Sequence, residues 1–240
     1  MRTMLAIAIL LAASCSSAET EQTEPAPEST TSTKPQTSTA TRESTSTTTT
    51  TEALPVPNGV NPNSPCLERA VFGDPAGSLY TLPYPVGEEY WISQSYCFSE
   101  GGHRNQLAYD FDMPVGAEVL ASRAGVVKEV KQDSPDTGRG RGLHNYVFIQ
   151  HDDGTVAFYA HLMLDGVAVK PGDEVEPGEF IAFAGNSGLT GGPHLHFGVY
   201  QYWPPREGAD VPVNFRNASG QHDSRGGLAI WRLFEALPVE

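Results

Sequence analysis

Closely spaced turn signals constrain this chain more than any other feature. Lys170-Pro171-Gly172-Asp173 and Glu176-Pro177-Gly178-Glu179 follow one another within a few residues, and Asp152-Asp153-Gly154 separates two alternating apolar segments. Proline lacks a backbone donor and glycine admits positive φ, so a long helix cannot run through such a stretch. Short strands joined by hairpins can. The expected strands are Leu79 to Leu82, Glu89 to Ser95, Ala117 to Ser122, Gly125 to Gln132, Asn145 to His151, Thr155 to Leu162 and Phe180 to Ala184. Alternation in the sixth places Val156, Phe158, Ala160 and Leu162 on one face, with Tyr159 and His161 on the other. Ser134 to Gly142 reads as a polar loop, and an amphipathic helix is expected only over Leu228 to Leu237. The fold class is mainly β, antiparallel, with few short helices.

This domain is expected over residues 65–240, and what precedes it cannot share its core. Residues 16–64 are rich in Thr, Ser, Pro and Glu and contain no aromatic residue. Such a segment buries too little apolar surface to offset its ordering entropy, and it reads as a disordered tether with a mean span of order 40 Å. Residues 1–15 read as an export signal, with Arg2 ahead of the apolar run Met4 to Ala13. That run is too short to cross a bilayer, which takes roughly 20 residues. Ala12-Ala13-Ser14-Cys15 resembles a lipobox, in which Cys15 would be acylated and hold the chain to an envelope membrane. An ordinary signal with an incidental Cys15 is the alternative.

The net charge is −14, of which about −11 falls on the domain. Binding to nucleic acid phosphates is therefore not expected. With Cys15 acylated, Cys66 and Cys97 remain as an even pair in an oxidising compartment, and a disulfide between them is expected. The domain is expected to be a monomer.

The chemistry concentrates in Gly191-Gly192-Pro193-His194-Leu195-His196-Phe197-Gly198. In a strand, His194 and His196 share one face while Leu195, Phe197 and Val199 fill the other. Neutral imidazoles held on a strand suit a metal, although two histidines on a solvated face would leave the same trace. A second cluster is His103, Asp110 and Asp112, and His161 stands in Tyr159-Ala160-His161-Leu162. Together these exceed the three protein ligands of a catalytic zinc, and the surplus suits groups that manage protons and stabilise an oxyanion. Spacing alone leaves open which of them touch metal.

The set His103, Asp110-Phe111-Asp112-Met113-Pro114, Tyr159-Ala160-His161-Leu162, Gly185-Asn186-Ser187-Gly188 and His194-Leu195-His196-Phe197 resembles the lysostaphin and LytM type of zinc metallopeptidase. The resemblance covers roughly Leu79 to Gln201. It implies antiparallel sheets forming a groove, one Zn2+ per domain, and hydrolysis of a peptide bond in peptidoglycan stem peptides or cross-bridges. It implies that His103, Asp110 and His196 bind zinc and that His161 and His194 are the catalytic pair. Asp110 is preferred because it stands three residues before Met113-Pro114, and the longer spacing from His103 leaves Asp112 in reserve. A tyrosine upstream of the first histidine assists the oxyanion in this family, and Tyr96 is the nearest candidate. Some relatives have lost ligands and act as scaffolds that activate another wall hydrolase, such as an amidase; here all five positions are filled.

Overall fold

A computed structural model describes residues 54–140 and 142–239. The expected signal, with Cys15, and most of the expected tether lie outside the described residues. Among the described residues twelve strands follow in order: β1 (Glu89–Gln94), β2 (Ala108–Phe111), β3 (Glu118–Leu120), β4 (Gly125–Lys131), β5 (Asn145–Gln150), β6 (Val156–Val167), β7 (Glu174–Val175), β8 (Phe180–Ala184), β9 (Leu195–Tyr200), β10 (Asp210–Val211), β11 (Ala218–Ser219) and β12 (Leu233–Ala236). The helical content among the described residues is two short 3-10 turns, Pro65–Glu68 and Pro75–Gly77, capped by the side chains of Ser64 and Asp74.

The strands form an antiparallel sheet in the order β11-β12-β1-β2-β9-β6-β5-β4-β7, with β10 on β9 and with β8 joining β3 to β6. The central strands β2, β9 and β6 alternate strictly where they pair. Tyr109, Phe197 and Tyr159 lie in one row across them and face the core, all nearly or fully buried. Phe111 and Phe215 extend this aromatic block at ring separations of about 5.5 to 6.3 Å. Rings of this size dominate a core of this size.

The disulfide between Cys66 and Cys97 is present, with their Cα atoms 5.6 Å apart across a sequence separation of 31. Closing a loop of that length stabilises a fold by about 3 to 4 kcal/mol. It fastens the first 3-10 turn to the chain leaving β1. Within the expected tether, Val60 is buried and bridges Phe98, so packing against the domain includes that residue.

Two expected elements differ. Leu79 to Leu82 forms no strand: its backbone bonds instead to Ser122, Arg216 and the Asn217 side chain. Pro83 and Pro85 follow immediately and offer no N–H with which to extend a ladder. Leu228 to Leu237 forms no helix. Trp231 takes φ +55, and β12 then alternates, with Phe234 and Ala236 buried and Glu235 exposed. Pairing with β1 and β11 satisfies that period-two pattern, which a helix would not.

Candidate metal centre and groove

The groove side of the central sheet carries a row of its own. On β2, β9 and β6, Asp110, His196 and Ala160 sit side by side in register. As alternation requires, His194 and His196 point away from Leu195, Phe197 and Val199, which are buried in the core. Asp110 shares the groove, whereas Asp112 lies past the end of β2 and is exposed. The parity that related the two aspartates ends with the strand.

His103 reaches the row from the loop between β1 and β2. Its Nδ1–H donates to the Ser95 carbonyl at 3.2 Å, which turns Nε2 towards Asp110. Three donor atoms then converge. His103 Nε2 is 3.0 Å from Asp110 Oδ1, His196 Nδ1 is 3.0 Å from the same oxygen, and the two nitrogens are 2.9 Å apart. All three residues are at least nine-tenths buried. Ligands at about 2.0 to 2.1 Å from a tetrahedral zinc lie roughly 3.3 Å from one another, so this triangle fits such an ion with slight opening. Two imidazoles and one carboxylate are also an ordinary donor set for zinc.

The charges in the triangle are unequal. Burial favours the neutral acid of Asp110, but His103 and His196 outweigh it and hold the carboxyl well below its usual range. Burial opposes the charged form of His103, and the Asp110 carboxylate overcomes this, so its pKa is raised. His196 is shifted down, first by burial and then by its histidine neighbours against the pull of Asp110. Without metal, these shifts favour an ionised Asp110 and a neutral His196, and they make His103 the histidine of the triangle that holds a proton more tightly than a free imidazole.

His161 and His194 stand beside the triangle with ring centroids 4.5 Å apart. Each is oriented by a backbone carbonyl: His161 Nδ1–H donates to Ser187 at 2.7 Å and His194 Nδ1–H to Gly192 at 2.9 Å. The Nε2 atoms are left as acceptors, and that of His194 lies 3.6 Å from Asp110 Oδ2. Burial, followed by the neighbouring His194, pushes the His161 imidazole down to about 3. His161 is therefore neutral across the physiological range.

Simple alternation put His161 on the face of Tyr159, and the structure does not keep it there. β6 pairs β9 as far as Ala160 and pairs β8 from Leu162. At the switch His161 adopts φ +62, the ladder to β5 shifts register, and the side chain joins Phe158 and Ala160 in the groove. The apolar face expected for Phe158 and Ala160 is thus the groove floor, and Tyr159 turns to the core. Such bulges re-aim a side chain at the cost of one ladder pair.

The groove encloses about 680 Å³ and is walled by Phe158, Leu189, Thr190, Tyr200 and His144 besides the charged cluster. Tyr96 is not part of it. It is fully buried against Phe72 and donates its hydroxyl to Asp223 at 2.7 Å, because the chain turns inward after β1 ends. Of the aromatic residues after the His pair, Tyr200 lines the groove while Trp203 packs on Phe148. Gln94 and His144 went unnoticed in the sequence. Neither stands in a motif, and only strand register brings Gln94 opposite Asp110.

Residues 104–214 match Peptidase family M23. The match starts one position after His103 and spans Asp110, His161, His194 and His196. The chain is 40% identical over 88 residues to the peptidoglycan DD-endopeptidase ShyA of Vibrio cholerae, covering 37% of this chain and 18% of the relative. It is 37% identical over 117 residues to the peptidoglycan DD-endopeptidase ShyB of the same organism, covering 48% of this chain and 25% of the relative. Thus the chain spans at most a quarter of the length of these two relatives. Among solved structures, it is 26% identical to the antimicrobial peptidase lysostaphin from Staphylococcus simulans, with a TM-score of 0.40 over 50% of this chain and 46% of that one.

Proposed function

Residues 104–214 are a peptidase family M23 domain, and from that premise we propose that the chain is a zinc-dependent endopeptidase acting on peptide bonds in peptidoglycan. One observation carries the reading: three buried donors converge within about 3 Å of one another, and two histidines oriented by backbone carbonyls stand beside them in an open groove. The names of the ShyA and ShyB relatives support the choice of peptidoglycan as substrate.

His103 Nε2, Asp110 Oδ1 and His196 Nδ1 hold one zinc ion per domain. The chemistry that such an ion supplies is Lewis-acid polarisation of the scissile carbonyl and acidification of water. His161 and His194 handle the proton. With Nδ1 committed to a backbone carbonyl, each offers Nε2 as an acceptor for a water proton and then as a donor to the leaving amine. The hydrogen bonds to Ser187 and Gly192 prevent ring rotation, so the acceptor is in place before substrate arrives. Phe158 and Tyr200 supply apolar wall for the peptide backbone and limit the water around the reacting bond.

The same reading includes export and attachment of the chain to an envelope membrane through acylated Cys15, with residues 16–64 as the spacer. Cys15→Ser should then release the chain from the membrane fraction.

Mass spectrometry of soluble fragments released from purified peptidoglycan tests the activity and identifies the bond. The zinc-loaded chain should release muropeptides bearing one newly freed amine and one newly freed carboxyl group, and His196→Ala should release none. Peptidoglycan left intact by zinc-loaded protein overturns the reading.

A further inference from the structure

The row across the groove extends one strand further than the metal ligands. Gln94 on β1 pairs directly with Asp110 on β2, and both ends of its amide are engaged. Its Nε2–H donates to Asp110 Oδ2 at 2.8 Å, and its Oε1 accepts the Gly102 backbone N–H at 3.1 Å. A carboxylate accepts and a backbone N–H donates, so only one amide orientation satisfies both. The two oxygens of Asp110 are thereby sorted. Oδ1 lies 3.0 Å from each ligand nitrogen, while Oδ2 is held by Gln94.

The loop that carries His103 is shaped around the same amide. Gly101 has φ +79, and a Cβ there would lie 2.4 Å from Gln94 Oε1. Any side chain at Gly101 would be strained in its backbone and would displace the glutamine. Gln94 therefore touches Asp110 on one side and the loop leading into His103 on the other.

We infer that Gln94 is a positioning residue of the metal centre: it restricts Asp110 to binding through one oxygen and ties the His103 loop to the strand bearing Asp110. The inference rests on the zinc reading of His103, Asp110 and His196. A carboxylate with both oxygens free can rotate and bind through two, whereas one anchored by a neutral amide cannot do so without losing that hydrogen bond. Outer partners of this kind contribute roughly 10- to 100-fold to metal affinity. Being uncharged, Gln94 acts on orientation and leaves the charge of the site unaltered.

The test is chelator competition for zinc on the full chain, with X-ray absorption at the zinc edge to count ligands and the thermal midpoint of the metal-free chain to follow the fold. Gln94→Met keeps length and volume but makes neither hydrogen bond. It should bind zinc roughly 10- to 100-fold more weakly and gain a second Asp110 oxygen at the metal. Gly101→Ala, which alters no ligand, should weaken zinc binding in the same direction by dislodging Gln94. If Gln94→Met binds zinc as tightly as wild type with the same ligand count, the inference falls and the zinc reading stands, even where its thermal midpoint is lowered. Should Gln94→Met fail to fold, Gly101→Ala decides by the same two readouts. A wild-type chain that takes up no zinc, or a His196→Ala chain that binds it undiminished, overturns the zinc reading and this inference with it.

Discussion

Asp110 and His196 face each other directly across the ladder between β2 and β9, and the 3.0 Å between Asp110 Oδ1 and His196 Nδ1 is set by that pairing. Ala160 stands on the other side of His196 and Gln94 on the other side of Asp110. Four strands thus contribute neighbouring positions to one row, and the groove inherits the rigidity of the sheet. Of the three converging donors, His103 alone arrives from a loop.

The two histidines of the His-Leu-His motif should separate in their effects. His196 Nδ1 is a corner of the donor triangle, whereas His194 Nε2 is 3.6 Å from Asp110 Oδ2 and outside it. His196→Ala should abolish zinc binding, measured by chelator competition. His194→Ala should keep its zinc and lose about 10²- to 10⁴-fold in turnover, the range for removing a proton-transfer group. Equal loss of zinc in both would make them equivalent ligands.

Zinc uptake should release a proton. The upward shift of His103 beside Asp110 means that the metal-free site holds a proton to higher pH than a free imidazole does, and zinc must expel it wherever it is bound. Calorimetric titrations in buffers of different ionisation enthalpy should give a release approaching one proton per zinc at mildly acidic pH and falling as pH rises through the His103 pKa. Zinc affinity should increase over the same interval. A release that does not vary with pH would place the proton elsewhere.

Ala160 should be intolerant of size without being needed for metal. It lies beside His196 on the groove floor and is nearly fully buried. Ala160→Leu introduces three carbons into the space a peptide would occupy, so peptidoglycan hydrolysis should drop by at least about tenfold while zinc stoichiometry is retained. Loss of zinc together with activity would show that the added bulk displaced His196 instead.

Acid should destabilise the metal-free chain partly through His161. Its folded pKa of about 3 lies below the ordinary value of 6.5. The unfolded chain therefore binds the proton first, and stability is lost as pH falls from about 6.5 towards 3. One such group gives a slope approaching about 1.4 kcal/mol per pH unit inside that window. Urea midpoints between pH 7 and 4 should decline less steeply for His161→Gln than for wild type; parallel curves would assign the acid sensitivity to other groups.

The His pair was legible because alternation depends only on neighbours in the chain: His194 and His196 against Leu195, Phe197 and Val199 describe one strand with two faces. The turn residues likewise announced the hairpin at Asp152-Asp153-Gly154 and the chain reversals at Pro171-Gly172 and Pro177-Gly178, although β7 between the last two pairs with β4 and closes no hairpin with its neighbours in the chain. Where the pattern was cut short, so was the inference. Asp112 shares the parity of Asp110 but follows the end of β2, and Tyr96 follows the end of β1. His161 had a regular pattern around it and departed from it, because β6 exchanges β9 for β8 at that residue and takes a positive φ to do so.

By itself, the sequence determined the antiparallel β class and the hydrophobic-polar alternation of the central strands. It also marked the histidines and aspartates from which a metal centre could be assembled. The tertiary structure alone decided register, and with it the convergence of Asp110 with His103 and His196, the re-aimed His161 and the place of Gln94. The physical reason is that alternation is a property of consecutive residues, whereas register is decided by hydrogen bonding and core packing between segments far apart in the chain, where a shift of one residue exchanges the two faces.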